Sequence, residues 1–84
     1  MRNKDGNSLL HTAVEENVVD IVNYLLSKGV DVNIQNKNGD TALHIAINKE
    51  NKEMVQLLLN NKAYLNIPNK SNNTSLDLAS VKYI

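Results

Sequence analysis

His11 and His44 are the side chains in this sequence best suited to chemistry, and they stand 33 positions apart. An imidazole can act as a general base or as a zinc ligand. Zinc would need one or two further ligands, and the repetition that places the histidines supplies none. The chain has no cysteine, which removes thiolate ligands, thiol nucleophiles and disulfides together. Glu15 and Glu16 form an adjacent carboxylate pair, with Asp20, Asp31 and Asp40 elsewhere. Adjacent residues on a helix point in different directions, so the pair does not converge on one bond. These carboxylates read as solvated charge. Gly6 and Gly39 stand singly, without a glycine-rich phosphate loop. No Ser-His-Asp arrangement stands out, so the chain reads as non-enzymatic, with no cofactor, metal or small-molecule substrate.

The spacing of the histidines belongs to a wider pattern. Ser8-Leu9-Leu10-His11-Thr12-Ala13 returns as Thr41-Ala42-Leu43-His44-Ile45-Ala46 and again as Thr74-Ser75-Leu76-Asp77-Leu78-Ala79. Shifting the chain by 33 also aligns Ile21 with Met54, Val22 with Val55, Leu25 with Leu58, Leu26 with Leu59, and Ile34 with Ile67. Lys4, Lys37 and Lys70 coincide, as do Gly6 and Gly39, Asn33 and Asn66, and Asn36 and Asn69. A fixed period of this length means stacked units, each too thin to bury its own hydrophobic face.

Each unit carries two helical stretches. The first opens on a hydroxyl residue, Ser8, Thr41 or Thr74, able to cap the free N–H groups of the next turn. Its apolar residues fall at i, i+3 and i+4, as in Leu43, Ala46 and Ile47, which predicts one narrow buried stripe. The second has apolar pairs, Ile21-Val22 with Leu25-Leu26 and Met54-Val55 with Leu58-Leu59. That wider stripe predicts the more deeply buried helix. Gly29 suits a left-handed C-terminal cap; Lys62 stands there in the second unit, which predicts a less well closed end. Between units runs an extended, turn-rich segment in which Asn38-Gly39 supplies a tight turn with positive φ. Asn72 takes the glycine position in the third unit.

The period, Thr-x-Leu-His-x-Ala, Ile-Val-x-x-Leu-Leu, Gly-Val-Asp-Val-Asn and the Asn-Gly turn together resemble the ankyrin repeat, over essentially the whole chain. The resemblance implies an all-α solenoid of stacked helix-turn-helix units with β-hairpin-like loops. It divides residues 1–84 as a single domain into repeats at about 4–36 and 37–69 and a partial one at 70–84. It also implies that His11 and His44 bond the capping hydroxyl and a neighbouring loop. Gly6, Gly39, Thr41 and Thr74 then join them as structural residues. The family's proline after the capping Thr is Leu9, Ala42 or Ser75 here. Its glycine between the helices is Asn17 and then Glu50, and Glu50 is strained if its φ is positive.

Zero formal net charge gives no basic field for sequence-independent nucleic-acid binding. No apolar run reaches the roughly 20 residues that span a bilayer, and the polar start lacks a signal peptide. The expected location is cytoplasmic or nuclear. Function is expected on the surface. In the family the concave face combines loop tips with the exposed side of the first helix. Carried over, that is Lys4, Asp5, Asn7, Glu15 and Glu16 in the first unit. The second offers Gln35, Lys37, Asn38, Asp40, Asn48 and Lys49; the third offers Pro68, Lys70, Ser71, Asn73 and Lys82. Tyr24 and Tyr64 fall at inner-helix and loop positions, leaving this face without an aromatic anchor. Leu25 through Asn33 also resembles the Leu-x5-Asp-Val-Asn pattern hydroxylated on Asn in some ankyrin repeats by a 2-oxoglutarate oxygenase. The expected function is a protein-interaction module within a longer array, the period stopping inside its third cycle. The alternative is a spacer or regulatory segment of a larger protein such as a channel or transferase.

Overall fold

The structure, a computed structural model, describes the backbone of residues 3–83 and the side chains of residues 3–79. Five helices follow one another: α1 (Leu9–Glu15), α2 (Val19–Ser27), α3 (Ala42–Asn48), α4 (Lys52–Asn60) and α5 (Ser75–Tyr83). No strand occurs among the described residues. The first helices start where the sequence places a hydroxyl. Ser8 and Thr41 have extended backbone, and each side-chain oxygen accepts the N–H of the histidine three residues on. Thr74 does the same for Asp77 at 3.1 Å, and the Asp77 carboxylate accepts the Thr74 N–H in return.

Three left-handed residues in each of the first two units, and one in the third, fold the chain back on itself. Asn17 (φ 57°) and Glu50 (φ 54°) end the first helices; Gly29 (φ 80°) and Lys62 (φ 70°) end the second; Gly6, Gly39 and Asn72 (φ 63–78°) turn the loops. Glu50 therefore does hold the conformation that crowds its Cβ, which costs about 1–2 kcal/mol relative to the right-handed region. The Lys62 end is closed as well as the glycine end, against expectation. Lys62 N–H reaches Leu59 O and Ala63 N–H reaches Leu58 O, both at 3.1 Å, while Val30 N–H lies 3.4 Å from Leu25 O after Gly29. The left-handed turn presents these donors whatever side chain it carries, so the substitution strains φ without opening the cap.

Burial reverses the expected order of the helices. In α3, Ala42, Leu43, His44, Ala46 and Ile47 are all buried, a broad face where a narrow stripe was expected. In α2 only Val22 is buried, and in α4 only Met54 and Leu58. The reason is topological. The first helices stack on one another, α1 on α3 and α3 on α5, whereas α2 and α4 each pack chiefly on the first helix of their own unit. A first helix is thus covered on several sides and a second helix on one. Leu43, Ile47, Met54 and Leu58 form the centre of the core, each contributing roughly 1.5–3 kcal/mol by burial.

Candidate binding face

The loops that carry the surface residues are built alike. Asn3, Asn36 and Asn69 each accept two backbone N–H groups on Oδ1, from Asp5 and Asn7, from Asn38 and Asp40, and from Ser71 and Asn73, all at 2.9–3.0 Å. Two backbone bonds close each loop, as from Asn36 N–H to Asp40 O and from Gly39 N–H to Asn36 O, both at 2.9 Å. Sequence reading missed this asparagine as a structural residue, although its recurrence at 33 was visible.

Successive loops are tied in register. Lys37 N–H donates to Asp5 O at 3.1 Å and Lys70 N–H to Asn38 O at 2.9 Å. Asn36 Nδ2 donates to Asn7 Oδ1 and Asn69 Nδ2 to Asp40 Oδ1, at 2.8 and 2.9 Å. Gln35 Nε2 reaches both Gly39 O and Pro68 O. The histidines complete each junction. His11 and His44 are wholly buried, and their Nδ1 atoms lie 3.0 Å from the backbone N–H and 2.8 Å from the hydroxyl of Ser8 and Thr41. An Nδ1 that accepts an N–H carries no proton, so the proton sits on Nε2 and is donated to Asp40 O from His11 and to Asn73 O from His44, at 2.8 and 3.0 Å. Both rings have their nitrogens occupied by the fold.

Between the loops and the first helices lies an open groove of about 480 Å³. Seven residues expected on the face line it: Asp5, Asn7, Glu15, Asn38, Asp40, Asn48 and Lys49. Asn36 and the half-buried Ile45 join them, giving the groove an apolar patch that the sequence reading did not include. Lys4, Lys37 and Lys70 are exposed on successive loops, outside the groove lining, as are Gln35, Pro68, Ser71 and Asn73. Glu16 lies elsewhere, beside Leu9, Val18 and Ile21 at the N-terminal end of the stack. The side chain of Lys82 lies outside the described ones. Asn33 is half-buried and its Oδ1 accepts the N–H of Tyr64 at 2.8 Å. Tyr24 is not an inner residue: it is exposed on α2, with the Lys28 ammonium 5.4 Å from its ring centre. Among the described residues no cluster of side chains could hold a metal ion, and no helix is long and apolar enough to cross a membrane.

Helix pairs stacked side by side, with loops tied edge to edge, define a helical repeat protein of the solenoid class. Residues 10–83 match the family described as ankyrin repeats (3 copies), and the chain belongs to that family, whose members are generally protein-interaction modules. It is also 55% identical over 31 residues to a putative ankyrin repeat protein, FPV031, of fowlpox virus (strain NVSL). That stretch is 37% of this chain and 9% of the relative, so the chain spans a small part of the relative's length.

Proposed function

We propose that this chain is a non-enzymatic module that binds a protein partner on the face formed by its loop tips and first helices, as a segment of a longer array. The groove supports this reading: one concavity gathers Asp5, Asn7, Glu15, Asn38, Asp40, Asn48 and Lys49 from two units. Its lining offers amides, carboxylates and one ammonium around Ile45, a surface suited to polar contacts with a folded or extended polypeptide. Among the described residues no aromatic side chain lines it, so a partner held by these two units alone binds weakly, and flanking units raise the affinity. The cytoplasm or nucleus is the compartment proposed, in keeping with a cysteine-free chain.

The test replaces Asn38, Asn48 and Lys49 with alanine in the full-length protein, since all three are exposed. Loss of at least about tenfold in affinity for a partner captured with the natural protein, with unchanged thermal stability, supports the face. Unchanged affinity removes it and favours a spacer role, for which deletion of the segment would leave partner binding intact.

A further inference from the structure

The two ends of this stack differ in what they offer a neighbour. At each internal junction the later unit contributes one lysine backbone N–H, from Lys37 or Lys70, and one asparagine Nδ2, from Asn36 or Asn69, to the earlier loop. Asn3 and Lys4 are the periodic counterparts in the first unit. Asn3 already organises its own loop as Asn36 and Asn69 do, while its Nδ2 and the Lys4 N–H face no acceptor among the described residues. The donor half of a junction is therefore built, with no acceptor opposite it among the described residues. Beside it the apolar surface is open in the same register. Leu9 is 65% exposed where Ala42 is 1%, and Ile21 is 47% exposed where Met54 is 1%. Leu9 stands between two hollows of about 220 and 120 Å³, the first lined by Leu10, Leu25, Val30 and Ile34, the second by Ala13, Val18 and Ile21.

The C-terminal end breaks the pattern at two points. A Cβ on Gly6 or Gly39 would lie 2.9 Å from the backbone nitrogen of Lys37 or Lys70 in the following loop. Asn72 occupies that position with a left-handed φ of 63° and carries a Cβ, so a following loop at the same spacing would collide with it. Asp77 replaces the histidine. Its carboxylate accepts the Thr74 N–H and has no Nε2–H to send to the next loop's carbonyl, as His11 and His44 do.

We propose that the stack is directional: its N-terminal edge docks a further unit of this helix-helix-loop pattern, and its C-terminal edge refuses one. The docked unit brings a glycine at its own loop turn, a free loop carbonyl for Lys4, and aliphatic side chains for the hollows around Leu9. This rests on the array part of the proposed function and is independent of the binding groove.

Two extensions of the chain test it without any partner. In the first, residues 37–69 are copied directly ahead of Lys4, so that the copied Asn69 takes the place of Asn3. The urea midpoint rises, hydrogen exchange at the Lys4 amide slows by at least about tenfold, and Leu9→Glu lowers the midpoint in the extended chain more than in the original. In the second, residues 52–69 and then 37–69 are added after Ile84, completing the third unit and adding a fourth. The fourth unit gives no gain over the completed third, and Asn72→Gly with Asp77→His restores one. An unchanged midpoint and a fast-exchanging Lys4 amide in the first extension would overturn the docking edge. A full gain from the fourth unit with Asn72 and Asp77 in place would overturn the directionality.

Discussion

Gly29 and Gly39 offer a matched measurement of how tightly the loops are stacked. Their backbones are nearly the same, φ 80° and 78°, so alanine at either position meets the same left-handed penalty of about 1–2 kcal/mol. Their surroundings differ. A Cβ on Gly29 meets nothing within 4 Å, whereas one on Gly39 lies 2.9 Å from Lys70 N and 3.0 Å from Asn69 Cα, both main-chain atoms. Relieving that clash to van der Waals distance moves the third loop by about 0.5 Å. The movement strains the bonds from Lys70 N–H to Asn38 O, from Asn69 Nδ2 to Asp40 Oδ1 and from His44 Nε2 to Asn73 O. Overpacking of this kind costs roughly 1–3 kcal/mol. Gly39→Ala therefore destabilises by about 2–5 kcal/mol and Gly29→Ala by about 1–2 kcal/mol. Against a total of about 4–13 kcal/mol for a chain of this length, the first can unfold the stack and the second leaves it folded. Urea titration followed by circular dichroism gives both midpoints, and hydrogen exchange at Lys70 locates the damage. Equal losses for the two variants would refute the close loop stacking on which the junction geometry depends.

Three further substitutions read other parts of the fold. Ser75 Oγ is buried without a hydrogen-bond partner among the described residues, and Ala42 fills the same position in the preceding unit at 1% exposure. Ser75→Ala therefore stabilises by about 1 kcal/mol, seen as a raised urea midpoint; a loss would mean that the hydroxyl is satisfied. Glu50→Gly relieves a left-handed φ of 54° at an exposed site and gains about 1 kcal/mol by the same measurement, whereas Asn17→Gly changes little. His44→Ala removes the ring that joins Thr41 to Asn73 and leaves a buried void, lowering stability by about 3 kcal/mol in a denaturant titration. Its loss should exceed that of Thr41→Ala, about 1–2 kcal/mol, because the capping hydroxyl serves one helix while the ring spans two units.

Much of this protein was legible before any coordinates, because a repeat prints local chemistry several times. Capping by Ser8, Thr41 and Thr74 depends on residues three apart, and the left-handed turns at Gly6, Gly39 and Gly29 on a single φ, so sequence alone carries them. Recurrence at 33 then supplied the family resemblance, and the resemblance in turn implied most residues of the groove. Burial was misjudged for a definite reason. The second helices carry large apolar residues in pairs one turn apart, which reads as a wide buried stripe, yet the first helices are the ones held between neighbours, and which helix is sandwiched is a property of the stack. Glu16 lies at the N-terminal edge and not in the groove with Glu15, since one helical step separates the two surfaces. Only the tertiary structure gave Asn3, Asn36 and Asn69 their role, Ile45 its place in the groove, and Asn72 and Asp77 their meaning. Each of those depends on how closely one loop lies against the next, a distance that no single segment of the chain encodes.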